Sequence, residues 1–261
     1  MRPFHKAHGC GNDFLILDVP ADASDLASLS RNLCDRTRGV GADGVEWICA
    51  GSGSADGSAD VVARLFNADG SEAEISGNGT RCVAAYWIHQ HGGKSVRVRT
   101  GAGVKECRLI SAAGANFEFE MAMGVAQVGK ERKIGARAGL EVSIGNPHFV
   151  VFVETFDFPW QKEGAEIQKQ PVFPKGVNVE YVRVQGPAAI ECRFFERGAG
   201  ETLSSGTGSC AAAIAAMHRK KTASPVRVAS PGGVQTVRLS ADGVVFLQGP
   251  AQLVCAGEVF I

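Results

Sequence analysis

Two stretches of this chain place a serine immediately ahead of a glycine-x-glycine turn. Glu74-Ile75-Ser76-Gly77-Asn78-Gly79-Thr80-Arg81-Cys82 runs on into Val83-Ala84-Ala85. Leu203-Ser204-Ser205-Gly206-Thr207-Gly208-Ser209-Cys210 runs on into Ala211-Ala212-Ala213. Glycines at the start of an apolar helical run let the backbone approach a ligand closely. A helix start also presents unpaired N–H groups and a partial positive charge, which suits a carboxylate or a phosphate. An ordinary helix start explains either copy alone. The repetition at about half of the 261-residue chain favours two related halves, each giving one wall of a single site. Ser76 and Ser205 would then stand on opposite faces of a bound α-carbon.

A hydroxyl is a weak proton-transfer group. A free cysteine has a pKa of about 8.5 and bulk water about 15.7, which leaves serine roughly five units or more above a thiol, or about 7 kcal/mol. A helix N-terminus supplies about 0.3–1 kcal/mol, and at most about 2. Serine therefore needs a neighbouring base, and neither motif carries a His or Lys beside it. A nucleophile elbow is excluded, because no serine has glycine at both −2 and +2. No G-x-x-x-x-G-K-[ST] phosphate loop occurs either.

The elements that must position these turns are short. Strands are expected at Phe14–Asp18, Val61–Phe66, Ser95–Thr100, Lys105–Ile110, Phe117–Met121, Glu141–Ile144 and His148–Val153. The second half adds Asn178–Val184, Ala189–Phe195, Pro225–Ala229, Gln235–Leu239 and Val244–Gln248. Helices are expected over Asp25–Asp35, Thr80–His91 (stopped by Gly92-Gly93) and Gly208–His218. Gly39–Gly44 and Asn67–Gly70 read as turns, and Gly51–Asp60 as a mobile hairpin tip. Strands with one long apolar helix per half make the chain α+β.

Lys+Arg and Asp+Glu both total 27, so no global field draws the chain to nucleic acid or an anionic membrane. No apolar run is long enough to span a bilayer, and the first residues lack a signal-peptide core. Eight scattered cysteines without a C-x-x-C fit free thiols in a reducing cytoplasm, with no metal site.

The chain resembles the diaminopimelate epimerase family. The resemblance rests on His8-Gly9-Cys10-Gly11-Asn12-Asp13-Phe14, Gly39-Val40-Gly41-Ala42-Asp43, Asn67-Ala68-Asp69-Gly70-Ser71-Glu72-Ala73-Glu74 and Gly77-Asn78-Gly79-Thr80-Arg81-Cys82. It continues through Gly145-Asn146-Pro147-His148-Phe149, Val177-Asn178-Val179, Glu196-Arg197-Gly198-Ala199-Gly200-Glu201-Thr202, Gly206-Thr207-Gly208, Ser230-Pro231-Gly232-Gly233 and Gly249-Pro250-Ala251. The motifs keep the family's order from about residue 5 to 260.

The resemblance implies two pseudo-symmetric lobes, each a rolled, mostly antiparallel sheet around a central helix. The N-terminal lobe would be 1–113 with the last strand, about 250–261, and the C-terminal lobe 114–249. It implies a cofactor-independent, two-base interconversion of LL- and meso-diaminopimelate in lysine and peptidoglycan precursor synthesis. In the family a cysteine thiolate removes the α-proton and a second cysteine thiol returns one; those cysteines map onto Ser76 and Ser205. His148 and Glu196 match residues that assist catalysis. Backbone amides at Gly77, Asn78, Gly206 and Thr207 match the α-carboxylate cradle. Asn12, Asn67, Asn146, Asn178, Glu196 and Arg197 match groups that hold the substrate's amino and distal carboxylate ends. A bidentate guanidinium suits such a carboxylate. Gly44 departs from the many relatives with glutamine there. The family is cytoplasmic and homodimeric, and needs no cofactor or metal.

With both cysteines replaced, the expectation is a chain that binds diaminopimelate and turns it over slowly or not at all. One alternative is a natural binding pseudoenzyme on the same fold, which serine codons at both positions in the genome would favour. Another is a related isomerase or dehydratase of the proline racemase type. Those relatives usually carry histidine where Asn78 stands.

Overall fold

The computed structural model describes residues 1–20, 25–51 and 59–260. The hairpin tip expected over Gly51–Asp60 falls mostly outside them. The chain divides into two compact units, 1–121 with 249–261 and 122–248. The chain passes between them twice, within the strands Asn116–Val125 and Val244–Val259.

In the first unit, β1 (Arg2–Gly9) and β2 (Asn12–Asp18) form an antiparallel hairpin, turned at Cys10 and Gly11 with positive φ. α1 (Leu26–Cys34), capped by Asp25, carries the chain to β3 (Gly44–Ala50), which lies parallel to β2. β4 (Val61–Asn67) and the short β5 (Glu72–Ala73) follow antiparallel. α2 (Gly77–His91) then crosses to β6 (Ser95–Thr100), parallel to β4, and β7 (Gly103–Ala113) and β8 (Asn116–Val125) close the set as hairpins.

The second unit repeats this order. Its strands are β9 (Gln127–Ile134), β10 (Arg137–Ser143), β11 (Pro147–Phe152), β12 (Asn178–Gly186), β13 (Ala189–Glu196), β14 (Gly200–Thr202), β15 (Val226–Ser230), β16 (Gly233–Leu239) and the first part of β17 (Val244–Val259), whose remainder from Gly249 belongs to the first unit. α3 (Trp160–Gln168) crosses from β11 to its parallel neighbour β12, and α4 (Gly206–His218) from β13 to its parallel neighbour β15. Most other pairings are antiparallel, so each unit is a mixed sheet with two crossover helices, α+β as expected.

α2 and α4 are the central helices. α4 is alanine-rich on every face and nearly all of it is buried, because strands of its own unit pack around it. α2 is buried from Asn78 through Ala85. A helix without a polar stripe has no face to give to solvent. Peripheral cores gather under α1 and α3. Trp47 lies in the first and donates its indole N–H to Ser30 Oγ at 2.9 Å. Tyr181, Trp160 and Phe149 anchor the second.

Both central helices begin earlier than the sequence pattern suggested, at Gly77 and Gly206, because serine caps draw the glycines into the first turn. β1, β3, β5, β9, β14 and α3 were not anticipated. α3 buries Trp160, Gly164 and Ile167 at helical spacing, whereas the mostly exposed, charged β9 shows no apolar alternation. β17 continues eleven residues past the expected end at Gln248. Its partner changes there: Gln248 pairs with β16 and Gln252 with β1, so Pro250 falls where no ladder N–H is needed.

Candidate active site

Ser76 and Ser205 are the N-caps of α2 and α4, in the same extended backbone conformation. Each serine Oγ accepts the N–H of the third residue of its helix: Gly79 N–H at 3.1 Å and Gly208 N–H at 3.1 Å. Each serine carbonyl accepts the next amide, from Thr80 at 2.8 Å and Ser209 at 3.0 Å. The helix ladder cannot use the first amides, Gly77 and Asn78 in one unit, Gly206 and Thr207 in the other. These are the groups that can receive an anion.

Strand registers make the units comparable residue by residue. Phe14 pairs with Gly44 and Gly44 with Asn67; His148 pairs with Asn178, whose neighbour Val179 pairs with Phe195 next to Glu196. The equivalent positions are Asn12 and Asn146, Phe14 and His148, Gly44 and Asn178, Glu46 and Glu180, Asn67 and Glu196, Asn78 and Thr207. The units share a frame and differ in its chemistry.

In the first unit a hydrogen-bonded chain links Arg81, Asn78, Asn12 and Asp43. The fully buried Arg81 donates through Nη2 to Asn78 Oδ1, and through Nε to the Pro250 carbonyl at 3.2 Å. Asn78 Nδ2 donates to Asn12 Oδ1 at 3.3 Å, and Asn12 Nδ2 to Asp43 Oδ2 at 2.8 Å. Arginine only donates and a carboxylate only accepts, so the end groups fix which way both amides face. Gly9 and Gly249 leave the room that the Arg81 guanidinium occupies. Asp43 also meets Arg36, which binds Asp13 together with Lys6. Burial opposes the ionisation of Asp13, but those cations outweigh it and hold its pKa at about 2. Asn67 is exposed and donates to Ser71 Oγ at 3.0 Å within its own turn; no hydrogen bond joins it to the other candidates.

In the second unit Ser205 donates to Glu196 Oε2 at 3.2 Å, and Thr202 donates to Glu196 Oε1 at 2.6 Å. Burial raises the Glu196 pKa, against these hydrogen bonds and the nearby His148. The structure thus supplies Ser205 with a carboxyl neighbour that its own motif lacks. Glutamate remains roughly ten units below a hydroxyl, so it can hold Ser205 but not ionise it. His148 is fully enclosed: Nδ1 lies 2.6 Å from Glu180 Oε1 and Nε2 lies 2.8 Å from Asn146 Oδ1. Asn146 Nδ2 donates to Thr207 Oγ1 at 3.3 Å. Asn178 accepts the Arg197 backbone N–H at 2.9 Å and donates to the Pro147 carbonyl at 3.1 Å. The Arg197 side chain is exposed and reaches the Lys175 carbonyl at 3.0 Å.

Arg81, Asp43, Glu46 and Glu180 are charged residues of this framework that stand outside the sequence candidates. Glu46 and Glu180 are buried in mid-strand, and burial raises both carboxyl pKa values, Glu46 to about 8. A glutamate between apolar strand neighbours was the available signal. Cys82 and Cys210 are fully buried in the helices, and burial pushes the Cys82 thiol well up.

The sequence model of the family described as diaminopimelate epimerase matches residues 4–128 and 140–254. A diaminopimelate epimerase from Pelotomaculum thermopropionicum is 38% identical, with 98% of each chain covered. One from Desulfitobacterium hafniense is 36% identical over 97% of this chain and 96% of its own. Among solved structures, a protein described as a predicted epimerase from Pseudomonas aeruginosa superposes with a TM-score of 0.76 at 17% identity, covering 100% of both chains, a likeness of fold. With the ordered motifs, the twin serine-capped helices and these matches, the chain belongs to the diaminopimelate epimerase family.

Proposed function

We propose that this chain binds LL- and meso-diaminopimelate and carries the framework of the cofactor-independent epimerase, with Ser76 and Ser205 at the two proton-transfer positions. The observation that carries this reading is their identical placement as caps of α2 and α4, each accepting the amide of the second glycine at 3.1 Å. A base and an acid so placed would each lie beside helix-start amides that the helix ladder does not use and that suit an α-carboxylate. Hydroxyls there leave the cradle intact and remove the acid and base, so turnover is slow or absent.

Within this reading Gly77, Asn78, Gly206 and Thr207 bind the α-carboxylate. Asn12, Asn67, Asn146, Asn178, Glu196 and Arg197 contact the amino and distal carboxylate ends. His148 and Glu196 tune the group at position 205. All eight cysteines are free thiols, six of them buried, which supports a reducing, cytoplasmic setting. A homodimer is proposed from the family resemblance, and sedimentation tests it.

The decisive experiment installs Ser76→Cys and Ser205→Cys together and follows α-hydrogen exchange in heavy water with both stereoisomers. Exchange that appears only in the double variant supports the assignment. No exchange with either stereoisomer, despite a folded protein, sinks it.

A further inference from the structure

The contact between equivalent residues runs in opposite directions in the two units. In the first, Asn78 donates to Asn12; in the second, Asn146 donates to Thr207. The first chain cannot reverse, because Arg81 and Asp43 fix its ends. The second ends in groups that can each donate or accept: a buried Glu180–His148 pair and the Thr207 hydroxyl.

We propose that Glu180 is a positioning residue that sets the direction of the His148–Asn146–Thr207 chain and so decides whether Thr207 offers a hydrogen or a lone pair at the start of α4. The proposal rests on the reading that this helix start receives a carboxylate. When Glu180 and His148 together hold two protons, His148 Nε2–H donates to Asn146 Oδ1. Asn146 Nδ2–H then donates to Thr207 Oγ1, and the threonine hydrogen is left for an anion. With one proton lost from the pair, Glu180 accepts from Nδ1–H and Nε2 becomes an acceptor. The Asn146 amide turns over, and Thr207 donates back to it. The switch depends on the pair's proton count, not on which partner holds the proton.

Three observations support the two-proton form in this structure. Nε2 faces an amide oxygen at 2.8 Å, which requires Nε2–H. Asn146 places Nδ2, a donor, toward Thr207. Glu180 Oε2 is buried without a hydrogen-bond partner among the described residues, a costly position for an ionised carboxylate. Burial also raises the Glu180 pKa, while His148 lowers it. The other titratable groups facing the pair are Glu196 and Cys192, both on β13.

The test measures calorimetric binding of meso-diaminopimelate from pH 6 to 10 for the chain as written, Glu180→Gln and Glu180→Ala. Glutamine can donate to Nδ1 permanently, so it mimics the two-proton form. Expected is a fall of tenfold or more on the alkaline side for the parent. Glu180→Gln should lack the part of that fall which the ligand's own amines do not explain. Glu180→Ala should bind at least tenfold more weakly at pH 6, and the glutamine variant should rescue that loss. An alkaline limb unchanged in Glu180→Gln, or equal losses in Gln and Ala, overturns the proposal. Nitrogen-15 spectra of the ligand-free proteins keep the two readings apart. If no stereoisomer binds the parent, the diaminopimelate reading fails. The spectra then decide the chain: a His148 Nε2–H unchanged by pH and by Glu180→Ala refutes it, and its loss in both cases supports it.

Discussion

Glu46 Oε1 fills the space in which a side chain on Gly79 would begin. The equivalent pair behaves alike: a Cβ on Gly208 would meet Glu180 Oε1 at 3.0 Å and Ser205 Oγ at 2.9 Å. The second glycine of each turn is therefore required by a buried carboxyl group beneath the helix start, in addition to any ligand above it.

Gly79→Ala and Gly208→Ala should each destabilise the fold by about 1–3 kcal/mol through overpacking. Gly79→Ala should cost more, because its methyl group meets the closer carboxyl oxygen. Gly186→Ala, which meets nothing within 4 Å, should change the urea midpoint little. Equal effects at all three positions would contradict this account.

The buried Glu46 gives stability a defined pH dependence. Burial raises its folded pKa from the ordinary 4.5 to about 8, so between these values the folded state holds a proton that the unfolded state has released. Stability should therefore fall as pH rises from about 4.5 to about 8, by about 1.4 kcal/mol per unit, and level off above. Glu46→Gln should remove this slope and be the more stable protein at pH 8. Urea unfolding of both proteins between pH 5 and 9 measures it.

Serine is among the best N-cap residues, and a thiol is a weak acceptor. Ser76→Cys and Ser205→Cys should each cost about 1 kcal/mol of stability through the lost cap. The double variant that restores the proton-transfer groups should thus melt lower than the chain as written, which calorimetry can check.

Thiol accessibility should divide the cysteines sharply. Cys49 and Cys255 are exposed, and Cys10, Cys34, Cys82, Cys107, Cys192 and Cys210 are buried. Burial also pushes the Cys34 and Cys107 thiols to about 12, leaving little thiolate to react. A chromogenic disulfide reagent should titrate two thiols quickly in native protein and eight in urea. Rapid labelling of Cys82 or Cys210 would contradict their complete burial in α2 and α4.

Local pattern alone yields the repeated helix starts, the order of most strands and the candidates Ser76 and Ser205, whereas His148 and Glu196 come from the resemblance of their motifs to a family. Glycine spacing, serine caps and apolar periodicity are local properties, and they survive reading one residue after another. It left out the polar β9 and the continuation of β17 past Pro250, where pairing partners rather than side-chain pattern hold the strand. What lies behind the two helix starts depends on the folded arrangement. Arg81, Asp43, Glu46 and Glu180 come from separate elements, and their effects depend on burial and on hydrogen-bond partners brought together by strand register. For the same reason the twin motifs, nearly identical as sequence, sit on unlike supports: a fixed arginine-to-aspartate chain under Ser76, and a proton-sensitive carboxyl–imidazole pair near Ser205.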